Sequence, residues 1–69
     1  MLKPIKTFYV KGYPDLADWE EAVRIAKEES CVVELRWMPN IYAGYYHDYV
    51  FEDSDPIKLD EKTPKVYGL

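Results

Sequence analysis

Apolar and polar side chains alternate over residues 5–11, Ile-Lys-Thr-Phe-Tyr-Val-Lys. Their β-branched and aromatic types suit a strand. The alternation turns Phe8 and Val10 toward a core and Thr7, Tyr9 and Lys11 away from it. Gly12-Tyr13-Pro14 breaks the strand. Over residues 15–29 the period changes: Leu16, Trp19, Ala22, Val23 and Ala26 fall on one stripe at 3.6 residues per turn, which predicts an amphipathic helix. Asp15 after Pro14 is a good N-cap, and Asp18 with Glu21 has capping-box spacing. Glu28 and Glu29 sit at the end of the helix where its dipole disfavours acids. They are expected to face solvent or a partner.

Residues 31–38 alternate again, with Cys31, Val33, Leu35 and Trp37 on one face and Val32, Glu34, Arg36 and Met38 on the other. Pro39-Asn40 ends this second strand. Beyond it, Tyr42, Tyr45, Tyr46 and Tyr49 have helical spacing, but Gly44 interrupts them and Tyr, Val and Phe prefer strands. A strand over residues 44–51 is therefore predicted. Its faces are Tyr45, His47, Tyr49 and Phe51 against Tyr46, Asp48, Val50 and Glu52. Because the second set carries both acids, the first is expected to face the helix. Antiparallel pairing with 31–38 favours Arg36 opposite Asp48, since a shift that sets Glu34 opposite Asp48 repels. Residues 53–69 read as a charged loop and tail that could dock on the sheet, with 57–59 as a candidate fourth edge strand.

The predicted architecture is α+β, a small β-α-β-β domain over residues 1–52 with one amphipathic helix on a three-stranded sheet. An order with the Tyr-rich strand in the middle resembles half of a ferredoxin-like unit in topology. Whatever the order, one helix covers one sheet face and leaves the other bare. Tyr9, Arg36, Met38, Tyr46 and Val50 are expected on or near the bare face.

Composition narrows the function classes. With 69 residues there is room for one small core, and 11 aromatics are too many for a disordered tail. A single cysteine forms no internal disulfide, and one thiol builds no structural zinc site. Met-Leu-Lys-Pro-Ile-Lys is not a secretory leader, and no apolar run reaches the ~20 residues of a membrane span. A cytoplasmic setting, without membrane contact, is the expectation. The net charge is -4, made of a local +3 over residues 1–14 and a local -4 over residues 15–29. Lys3, Lys6 and Lys11 are too few for a duplex-binding stripe.

Catalytic and metal-binding constellations find little support. Cys31 and His47 are the only thiol and imidazole. In the favoured register His47 lies opposite Trp37, about 20 Å along the strand from Cys31. Cys31 reads as a small core hydrophobe. His47 has no carboxylate on its own face and reads as a partly buried histidine. Asp53, Asp55, Asp60 and Glu61 lack the glycine and bidentate glutamate of a calcium loop, and Pro56 intrudes. The isolated glycines form no phosphate cradle. No catalytic residue, cofactor or metal is expected.

Seven tyrosines exceed what one small core needs, and tyrosine is enriched at interaction hot spots. The expectation is a non-enzymatic module that binds a protein partner or a second copy of itself, anchored by Tyr9, Arg36, Met38, Tyr42, Tyr46 and Val50. Two alternatives stand beside it. Sheet aromatics can stack the bases of a single-stranded nucleic acid, although the net charge opposes this. The helix acids Asp18, Glu21 and Glu28, set around Ile25, can act as an acidic decoy for a DNA-binding protein.

Overall fold

The computed structural model describes residues 2–63 as β1 (Ile5–Lys11), α1 (Leu16–Glu29), β2 (Val32–Met38), β3 (Tyr46–Val50) and α2 (Pro56–Lys62). The class is α+β: a mixed three-stranded sheet carries α1 on one face, and α2 packs against α1. β1 pairs parallel with β2, and β3 pairs antiparallel with β2.

Each end of α1 has a local cause. Asp15 is the N-cap, and its side chain and that of Asp18 accept each other's backbone N–H in a capping box. The box is therefore Asp15 with Asp18 rather than Asp18 with Glu21. At the other end Ser30 takes the left-handed conformation, φ 49°, and its N–H bonds back to the Ala26 carbonyl. The predicted stripe is buried at Trp19, Ala22, Val23 and Ala26, whereas Leu16 is exposed. Trp19 meets Trp37 edge to face, with ring centroids 6.0 Å apart. Val33, Leu35 and Cys31 complete the floor of the core, all fully buried.

Three expectations are corrected. First, β2 and not the Tyr-rich strand is central. A central strand must serve two ladders. The seven residues of β2 match all seven of β1, whereas the five-residue β3 would leave backbone groups of a neighbour unpaired.

Second, the β2–β3 register is one residue away from the expected one: Arg36 lies opposite His47, Leu35 opposite Asp48 and Val33 opposite Val50. A one-residue slip turns every side chain of a strand over. Val50 is consequently buried against the core beside Val33, and Tyr46 stacks on Trp37 at 6.0 Å. Tyr45, His47, Tyr49 and Phe51 go to the other face. Asp48 is tolerated on the helix side because β3 is an edge strand and Lys62 Nζ reaches its carboxylate at 2.9 Å.

Third, residues 57–59 are helical. Asp55 caps α2 by accepting the Ile57 N–H, and Pro56 occupies the first turn, where its missing N–H costs nothing. Leu59 points into the core, and the Thr63 hydroxyl donates to the Leu59 carbonyl. The end of the expected C-terminal tail, residues 64–69, lies outside the described residues.

Candidate functional site

Parity along the three strands assigns the face that neither helix covers. β1 contributes Ile5, Thr7, Tyr9 and Lys11, and β2 contributes Val32, Glu34, Arg36 and Met38. Residues at and beside β3 contribute Phe51, Tyr49, His47 and Tyr45. The register, continued one residue beyond each end of β3, arranges them in four cross-strand rows. They are Ile5–Val32–Phe51, Thr7–Glu34–Tyr49, Tyr9–Arg36–His47 and Lys11–Met38–Tyr45. The two outer rows are largely apolar and the two inner rows are polar.

The inner rows form one connected cluster. Thr7 Oγ1 donates to Glu34 Oε1 at 3.1 Å, and His47 Nδ1 lies 2.9 Å from Glu34 Oε2. A carboxylate only accepts, so a hydrogen bond here requires a proton on Nδ1. The His47 hydrogen bond is the main influence holding the Glu34 carboxyl below its ordinary value of 4.5. Partial burial opposes it, while Thr7 and the charge of Arg36 add to the lowering. Arg36 Nε is 3.8 Å from the same carboxylate. The Arg36 guanidinium lies against two rings, 5.2 Å from the centroid of Tyr45 and 5.7 Å from that of Tyr9, and donates to the Tyr9 hydroxyl at 3.3 Å. Tyr9 and Tyr45 themselves meet edge to face at 6.2 Å. Cation–π contacts at exposed sites contribute about 0.5–1 kcal/mol each, enough to hold this arginine over the sheet.

Open depressions lie at both ends of the face. One, of about 580 Å³, is lined by Leu2, Lys3, Val32, Phe51, Glu52 and Asp53. The other, of about 300 Å³, is lined by Tyr9, Val10, Lys11, Met38 and Tyr45. Neither of these two depressions is lined by Glu34 or His47.

Of the residues expected to anchor a partner, Tyr9, Arg36 and Met38 come together on the open face. Tyr42 is almost wholly exposed in the loop before β3, where Asn40 Oδ1 accepts its N–H at 2.9 Å. Tyr46 and Val50 are corrected: the register puts both on the helix side, Tyr46 stacked on Trp37 and Val50 fully buried. Their places on the open face are taken by Tyr45, His47 and Phe51. The expectation that His47 lacks a carboxylate is overturned by Glu34, its diagonal cross-strand neighbour. That pair becomes legible once Val33 is set beside Val50 as a buried β-branched pair.

Elsewhere, Cys31 is buried on the core face, opposite to that of His47, so the two cannot cooperate. The helix acids are engaged: Glu21 and Glu28 both pair with Arg24, Glu29 pairs with Lys6, and Asp18 belongs to the capping box. Ile25 packs partly buried against the core rather than standing exposed among acids. Among the described residues, no three His, Cys, Asp or Glu side chains converge to hold a metal ion, and no helix is long and apolar enough to cross a membrane. Compared with protein-family models, curated proteins and solved structures, the chain finds no match.

Proposed function

We propose that this protein is a non-enzymatic interaction module that associates through its open sheet face. The observation that carries the reading is the layout of that face. Tyr9, Tyr45, Ile5 and Phe51 are each half or more exposed on a surface that neither α1 nor α2 covers, around a polar centre in which Glu34 contacts His47 and lies near Arg36. Its apolar rows gain from burial, and the nearness of Arg36 and His47 to Glu34 lowers the cost of desolvating these charges without fully satisfying them. Tyr9 and Tyr45, held by Arg36, are the rigid anchors, with Met38 and Phe51 filling the two ends.

The same features weigh against nucleic-acid stacking. The ring faces of Tyr9 and Tyr45 are occupied by Arg36, a carboxylate sits at the centre, and the chain is acidic. Bases would have to displace that arginine and approach Glu34.

A photo-crosslinking amino acid in place of Tyr45, compared with one in place of Glu20 on the outer face of α1, tests the reading. Discrete adducts in cells from position 45 alone are expected. Adducts from position 20 with none from 45, or saturable binding of labelled single-stranded RNA at low salt that Tyr45→Ala abolishes, would overturn it.

A further inference from the structure

The four rows of the open face are self-complementary in one orientation only. Rows one and four are largely apolar, with Lys11 at the β1 end of row four; row two is centred on Glu34 and row three on Arg36. Suppose two copies stack face to face about a two-fold axis running along the strands. Each row then meets itself, Glu34 opposes Glu34 of the other copy, and the arginines oppose likewise. If the axis instead crosses the strands between Glu34 and Arg36, row one covers row four and row two covers row three. Met38 then lies over Val32 of the other copy, Phe51 over Tyr45, and Glu34 over Arg36 at both symmetry-related points.

We infer that the open face pairs with a second copy of this chain in this antiparallel arrangement, locked by two reciprocal Glu34–Arg36 contacts between the copies. The inference rests on the interaction-module reading above and names its partner. The geometry is that of an aligned sandwich, with sheets about 10 Å apart and strand directions offset by about 30°. Three strands about 4.8 Å apart and seven residues rising about 3.3 Å each give a face of roughly 14 by 23 Å. That is a projected area of about 320 Å² per copy. An interface this small falls below the roughly 1,200 Å² of stable complexes, so the dimer is a weak, reversible one. The isologous contact closes on itself, so assembly stops at the dimer. Opposite charges meeting at its centre make the association weaken with added salt.

Sedimentation equilibrium on the wild-type chain and on charge-reversed variants tests this. The wild type is expected to dimerise. E34R and R36E are each expected to dimerise at least tenfold more weakly, because each variant opposes like charges twice. An equimolar mixture of the two variants is expected to recover a heterodimer, and the doubly reversed chain E34R/R36E to recover the homodimer. If a reversed variant fails to fold by circular dichroism, a short bis-maleimide applied to mixed copies carrying V32C or M38C in a C31A background replaces it. Crosslinks between unlike copies are expected; crosslinks mainly between like copies would overturn the arrangement. A wild-type chain that stays monomeric at millimolar concentration, or a dimer indifferent to both reversals, would overturn the inference. If position 45 nevertheless crosslinks to another protein, the module reading stands and only self-pairing falls. A monomer with no adduct at position 45 removes both.

Discussion

His47 Nδ1 sits 2.9 Å from Glu34 Oε2, across the β2–β3 ladder and on the face opposite α1. The contact exists only in the observed register. One residue of slip would send His47 toward the core and leave Glu34 outside. The pair therefore reports on strand register as well as on the polar centre of the open face.

Glu34 links stability to acid pH. Its carboxyl is held below the ordinary value of 4.5, chiefly by the His47 hydrogen bond. A carboxyl with a depressed folded value contributes stability that is fully present above its unfolded value and is lost as pH falls through the folded one. Glu34→Gln removes this contribution. In urea titrations the wild type is expected to exceed Glu34→Gln above the ordinary glutamate range and to converge with it below that range. A gap that is constant with pH would contradict the linkage.

Neighbouring tyrosines should behave as opposites. Tyr46 stacks on Trp37 at the core side, so Tyr46→Ala is expected to cost about 0.5–1.5 kcal/mol in folding stability and leave association unchanged. Tyr45 touches Tyr9 and Arg36 on the open face, so Tyr45→Ala should weaken association at a smaller cost in stability. Urea midpoints and sedimentation on the two variants separate these effects.

The helical nature of residues 56–62 predicts unequal effects two positions apart. In a strand, residues 57 and 59 would share a face. In α2, Leu59 is buried and Ile57 is more than half exposed. Leu59→Ala is expected to cost about 2–3 kcal/mol and Ile57→Ala under about 0.5 kcal/mol in urea unfolding. Equal losses would favour the extended form.

Ser30 ends α1 with φ 49°, a conformation in which a Cβ is unfavourable. Ser30→Gly is expected to stabilise the fold by about 0.5–1 kcal/mol, and Ser30→Val to destabilise it by at least as much. Thermal and urea midpoints of the two variants check the sign.

Residues 5–38 were legible because their periodicities are long and clean. Phe8 and Val10, the stripe from Trp19 to Ala26, and Val33, Leu35 and Trp37 all face as the pattern requires. β3 was legible as a strand but not in its facing, since five residues with an acid on one side and a histidine on the other carry little amphipathic signal. The side was decided by long-range contacts: Val50 meets Val33, and Asp48 finds Lys62 on a helix that local patterning missed. The start of that helix was visible in Asp55-Pro56, an N-cap followed by a first-turn proline, but seven residues are too short for a periodicity to show. Of the site, Tyr9, Arg36 and Met38 followed from β1 and β2. Glu34 followed from β2 as well, but its pairing with His47 and the facing of Tyr45, His47 and Phe51 depended on the register and so were lost with it.

The claim that the open sheet face pairs with a second copy of the chain is tested most directly by amide and methyl NMR shifts through a dilution series of the wild-type chain. The account predicts concentration-dependent shifts at Ile5, Tyr9, Val32, Glu34, Arg36, Met38 and Tyr45, with α1 and α2 unmoved. Shifts centred on the helices, or spectra identical at every concentration, would contradict it.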